Sequence, residues 1–190
     1  MDAFTHVTGL LGLVFVIALA LLLERASELV LARAQVRFSP LAALTAVNAV
    51  LLVYASWLAL WEVRRLTHWT LGSVTPLFLY ALSISFVCAL ALPRLGQENC
   101  YDMEAHYWRE RRTFYSAWFA NCMVAIACNL SLSAGLGHAN LINENLYNIF
   151  SAAVAVFAVA VPARWAQWTA GLALMALIVG YLLVFNSRLT

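Results

Sequence analysis

Long uninterrupted apolar stretches, separated by short polar turns, set the pattern of this chain. A hydrocarbon core of about 30 Å is crossed by about 20 helical residues, and six stretches meet or approach that length. They fall at residues 7–34, 41–61, 74–92, 113–133, 145–161 and 165–185, the first ending in an amphipathic extension beyond Leu23. Punctuation marks the ends. Pro40 follows Ser39 at the second run, Pro76 falls in the first turn of the third and Pro93 closes it. Gly135 and Gly137 follow the fourth run, and Pro162 closes the fifth, as helix termini predict. The runs are too long, and too free of two-residue alternation, to be membrane strands. The fold class is therefore all-α, a polytopic transmembrane bundle of six helices with an amphipathic interfacial segment ahead of the fourth. One transmembrane domain fills residues 1–190, and no soluble domain or low-complexity tract fits in the connections. Residue-level similarity between the halves, which an inverted repeat would leave, is not found.

Composition turns this pattern into a statement about solvent. The 190 residues are 64% hydrophobic and 11% charged, with a mean hydropathy of +0.84, against about 45–50% and about 25% in a soluble domain. A globule this small keeps too much surface to bury that apolar content, so the solvent is lipid. That excludes a soluble enzyme, a disordered chain and a nucleic-acid binder. Net charge is only +2, and every basic residue is Arg, the side chain suited to bidentate headgroup contacts. Counted over alternate loops, Arg25, Arg33, Arg37, Arg94, Arg109, Arg111, Arg112 and Arg164 fall on one side, and Arg64, Arg65 and Arg188 on the other. The positive-inside rule makes the first side cytoplasmic and puts both termini outside, even with Arg25 counted as intramembrane. The N-terminus has no basic region and no small-residue cleavage site, so the first helix is expected to be retained. Trp57, Trp61 and Trp69 at one end, and Trp108, Trp118, Trp165 and Trp168 at the other, read as headgroup anchors. Cys88, Cys122 and Cys128 read as apolar filler, and Cys100 as a free thiol on a reducing side.

Three groups of residues carry candidate chemistry. Glu24, Arg25 and Glu28 share a region near the end of the first helix, with the two carboxylates one turn apart. Carboxylates at membrane depth are costly and tend to seek a partner or water. Together with the intramembrane Asn48, Asn121, Asn129 and Asn148 they define a candidate ion, proton or polar-solute path, although interhelical hydrogen bonding is the ordinary role of such amides. In residues 102–115, acids come first and bases last, which complements a helix dipole. Asp102, His106, Arg109, Arg111 and Arg112 form a candidate patch for anionic headgroups. Metal ligation is not expected, because Asp102 and His106 lack further ligands at suitable spacing. No cofactor is expected either: His6, His68, His106 and His138 lie outside or at the edge of the apolar runs, where they cannot pair across a haem. Walker, G-x-S-x-G and H-E-x-x-H motifs are absent.

The run from Asp102, with its Ala105-His106-Tyr107, Arg111-Arg112 and Phe114-Tyr115, resembles a family of small bacterial six-helix membrane proteins to which no activity is assigned. The turn at residues 32–38, the Trp57/Trp61 pair and His68-Trp69-Thr70 share the resemblance, which fades in the last two helices. The first loop is less densely basic here than in the family pattern. The resemblance implies a bacterial inner membrane and six helices, and no activity. With no evident catalytic site, the leading expectation is an accessory or helix-packing subunit, associating with lipids, with itself or with a membrane complex, and not with nucleic acid. A small channel or transporter is the alternative. A lipid-headgroup enzyme using Asp102, Glu104 and His106 as acid–base groups is the weaker one.

Overall fold

A computed structural model of the chain describes residues 3–66, 68–94, 101–136 and 141–189, and the side chains of most of these. Cys100, Gly137 and His138 lie outside the described residues. Six helices follow in order: α1 (Ala3–Leu31), α2 (Pro40–Ala59), α3 (Leu71–Ala91), α4 (Met103–Leu136), α5 (Leu141–Ala160) and α6 (Arg164–Leu189). All six are long and apolar enough to cross a membrane, which makes this a multi-pass membrane protein. A 3-10 turn at Glu62–Arg65 follows α2.

Two boundaries differ from the sequence expectation. α3 begins at Leu71, because Ser73 Oγ accepts from the Thr70 N–H at 3.0 Å and caps the first turn. Pro76 is therefore inside the helix, not in its first turn. α4 is one helix of 34 residues, with no Gly or Pro to break it before Gly135. The amphipathic segment expected ahead of the fourth helix forms the first turns of α4 itself, continuous with its apolar part.

The helices form a closed circuit. α2 packs on α3, α3 on α4, α4 on α5, α5 on α6, and α6 returns to α2. α1 stands outside this ring against α3 and α2, held by one stripe of Leu11, Phe15, Ala18, Leu22 and Leu29. One end of the ring carries the connections α1–α2, α3–α4 and α5–α6, where most of the Arg residues lie; the other carries Arg64 and Arg65. At the Arg-rich end, strand β1 (Val36–Arg37) pairs in parallel with β2 (Tyr101–Asp102), matching Val36 with Tyr101 and Arg37 with Asp102. This short bridge ties the α1–α2 turn to the start of α4.

The core includes the large buried side chains of Trp118, Tyr115, Phe114, Ile84 and Leu174. Trp118 corrects one expectation: it is fully buried and packs 5.8 Å from the Phe114 ring, so it does not anchor at an interface. Trp57, Trp61 and Trp165 are exposed, as anchors require. The α2–α6 seam is closest at Gly171, where Asn48 Nδ2 donates to the Gly171 carbonyl at 2.9 Å and an added Cβ would meet Leu44 Cδ2 at 2.5 Å. A side chain at this position would have to displace that of Leu44.

Candidate functional site

The Arg-rich end is organised by two proline-terminated helices. An α-helical carbonyl accepts from the N–H four residues ahead, and proline has none. Pro93 therefore orphans the carbonyl of Ala89, and Pro162 that of Ala158. In lipid such a group has no water to turn to. Each orphan is met by a guanidinium from a neighbouring helix. Arg25 on α1 donates to the Ala89 carbonyl and, at 2.9 Å, to that of Leu92. Arg111 on α4 donates to Ala158 at 3.0 Å and to Val159 at 3.4 Å. Both cations sit at helix C-termini, where the dipole favours positive charge. Around α5 the network continues. Gln167, fully buried, donates from Nε2 to the carbonyls of Ala158 at 2.9 Å and Val161 at 2.6 Å, while its Oε1 accepts from Tyr107 Oη at 2.9 Å.

This placement separates the residues grouped in the sequence as a headgroup patch. Arg111 is buried and turned inward, its guanidinium 5.8 Å from the Trp108 ring, so it is not displayed to lipid headgroups. Asp102 caps α4, accepting on Oδ1 from the N–H groups of Glu104 at 2.8 Å and Ala105 at 3.0 Å. Its Oδ2 accepts from Arg37 at 3.2 Å. The Ala105 and Glu104 donors, with Arg37 beside them, hold the Asp102 carboxyl below the usual carboxylate range. Arg109 is exposed, with Glu110 Oε1 at 3.3 Å and His106 Nδ1 at 3.4 Å. Arg112 is exposed as well. Glu104 pairs with Arg164 at 3.4 Å. Asp102, Glu104 and His106 are thus each engaged with different partners and do not converge on one point. Among the described residues, no group of three or more His, Cys, Asp or Glu gathers as a metal site would.

The residues grouped as a path are also dispersed. Glu24 and Glu28 are exposed on α1, which lies outside the ring. Arg25 caps α3. Asn48 bonds α6, and Asn121 Oδ1 accepts from Ser83 Oγ at 2.7 Å, joining α4 to α3. Asn129 and Asn148 alone come together: both face Asn145 Oδ1, at 2.9 and 3.5 Å. These two line a cavity of about 540 Å³ within the Arg-poor half of the ring.

All five ring helices contribute to that cavity. Its wall is mostly apolar, with Leu52, Ala55, Leu77, Ala125 and Leu177, and carries polar groups at chosen points. Ser56 Oγ and Tyr80 Oη are bonded at 2.8 Å. The Tyr147 and Tyr181 rings lie tilted against each other, 5.5 Å between centroids. The hydroxyls of Tyr147 and Ser151, one turn apart, are buried beside each other. Glu62, Asn143 and Glu144 stand at the aqueous end, and the rim on α5 and α6 carries exposed Leu146, Phe150 and Val184. Toward the Arg-rich end the chamber is closed by the packed layer around Trp118. Sequence reasoning picked out Asn129 and Asn148 but passed over Tyr80, Tyr147, Tyr181 and Glu144, because only the packing of the five helices brings them to one space.

Comparison with protein-family models, with curated proteins and with solved structures finds no match to this chain.

Proposed function

We propose that this chain is a small-solute binding protein or carrier of a bacterial inner membrane, and that the five-helix chamber is where its solute sits. One observation supports the reading above all: a cavity of about 540 Å³, apolar with a few convergent polar groups, has the size and make-up of a small-molecule site. A chamber open at one end and closed at the other by a packed layer is the form of a carrier in one of its two states. The Arg-rich end is placed in the cytoplasm by the positive-inside rule, so the chamber opens to the other side and toward the bilayer between α5 and α6. The solute path runs past Asn129, Asn148 and Tyr147, and leaves Glu24 and Glu28 aside.

Those two carboxylates favour a second, compatible role as a partner subunit. They are exposed one turn apart on the face of α1 opposite its packed stripe, where a basic helix of another chain would neutralise them.

The chamber is tested with N-phenyl-1-naphthylamine, a neutral aromatic amphiphile, by native mass spectrometry of the detergent-solubilised chain. A saturable one-to-one adduct is expected. Gly180 lies on the chamber wall, and a Cβ there meets nothing within 4 Å, so Gly180→Leu has room to enter the space and should remove the adduct. An adduct that survives Gly180→Leu, or none in the unaltered protein, contradicts the reading.

A further inference from the structure

We infer that the chamber selects an uncharged amphiphile, an apolar body carrying a hydroxyl or N–H donor, a reading that rests on the chamber being a solute site. Two amide oxygens carry the inference. Asn145 is buried and stands behind the wall, not on it. Its Nδ2 donates to the Leu141 carbonyl at 2.8 Å, one turn back on α5, which leaves its Oδ1 as the atom offered to its neighbours. Asn129 on α4 and Asn148 on α5 therefore give their Nδ2 groups to that oxygen, at 2.9 and 3.5 Å. Each keeps a side-chain carbonyl that meets no donor among the described residues, and both residues line the chamber. An amide oxygen accepts and cannot donate, so the group that completes the pair is a donor.

The rest of the wall sets what surrounds that donor. The hydroxyls of Ser56 and Tyr80 are bonded to each other. Glu62 and Glu144 are each engaged with other groups, so neither is spare to neutralise an ion. An unpaired charge taken out of water is costly, whereas a neutral head needs only its hydrogen bond. Leu52, Leu77, Ala125 and Leu177 supply hydrocarbon for the body. Exposure marks the way in. The lining residues Leu52 and Ala55 on α2 and Leu77 on α3 are buried, while Leu146 and Phe150 on α5 and Val184 on α6 line the same space and are exposed. A molecule dissolved in the bilayer thus reaches the chamber between α5 and α6 without passing through water.

The test compares N-phenyl-1-naphthylamine with 1-phenoxynaphthalene, which has the same shape with an ether oxygen in place of the N–H. Equilibrium binding is measured on the purified full chain in detergent, each affinity referred to the probe's concentration in protein-free micelles. The amine should bind about tenfold tighter, the effect of one hydrogen bond to an otherwise unpaired carbonyl. The Asn129→Leu/Asn148→Leu double variant should bring the two probes level. Carbazole should be preferred over dibenzofuran in the same way, a rigid pair differing only in N–H against oxygen, which keeps the test decisive on the unaltered protein if the double variant does not fold. The sulfonate 8-anilinonaphthalene-1-sulfonate, a similar body with a charge, should bind more weakly than the amine. Equal binding within both pairs, with the amine still bound one-to-one, overturns the donor inference and leaves the chamber standing. A preference that survives in the double variant, or a sulfonate bound as tightly as the amine, overturns it as well. No saturable binding of any probe overturns both readings.

Discussion

Arg111→Met should lower the stability of the purified chain by about 2 kcal/mol, seen as a fall in its thermal midpoint in detergent, the order expected when a buried charged hydrogen bond is lost. Arg109→Met and Arg112→Met, on the same helix, should stay within about 0.5 kcal/mol of the parent, as exposed substitutions do. The contrast follows from the carbonyls. Met keeps the length and apolar body of Arg111 but donates nothing, so Val159 loses its guanidinium partner and Ala158 is left with Gln167. Because Arg111 and Gln167 serve the same orphan, the Arg111→Met/Gln167→Leu pair should cost more than the sum of the singles. Each single leaves the Ala158 carbonyl one donor, and the pair leaves none. Equal effects at Arg109, Arg111 and Arg112 would mean that the three act as one surface patch.

Gly171→Val should open the α2–α6 seam and destabilise the chain by about 1–3 kcal/mol, the usual range for overpacking. The added Cβ alone meets Leu44 Cδ2 at 2.5 Å and Cγ at 3.1 Å, and the second methyl shell of valine has nowhere to go. Asn48→Ala, which removes the hydrogen bond across the same seam, should cost only about 0.6 kcal/mol, because interhelical bonds in lipid contribute little on average and the Gly171 carbonyl keeps its place in the helical ladder. Leu44→Ala in the Gly171→Val background should recover most of the loss. If Asn48→Ala proves the more damaging, the seam is held by polar bonding and not by close packing.

The helices were legible because lipid demands about 20 apolar residues per crossing, and Pro40, Pro93 and Pro162 mark their ends. The order of packing was not. Hydrophobic residues all around a transmembrane helix give no stripe to say which side faces a neighbour, so neither the ring nor the exclusion of α1 follows from pattern. Half of the Arg logic was in the sequence. Counting four residues back from Pro93 and Pro162 finds the orphaned carbonyls of Ala89 and Ala158, but only the packing shows that Arg25 and Arg111 reach them. Asn129 and Asn148 stood out as amides in apolar runs. Tyr147 did not, since its role depends on which helices surround it.

The central claim is that the ring encloses a solvent-reachable chamber, and cysteine labelling tests it most directly. In a background with the native cysteines replaced by serine or alanine, single cysteines are placed at Ala55 and Ala125, which line the chamber, and at Ala49 and Ala81, which do not. All four positions are buried, so burial alone predicts one common result. Treated with a small methanethiosulfonate ethylammonium reagent in membranes, Ala55→Cys and Ala125→Cys should be modified and Ala49→Cys and Ala81→Cys spared. Four equally protected cysteines would contradict the account.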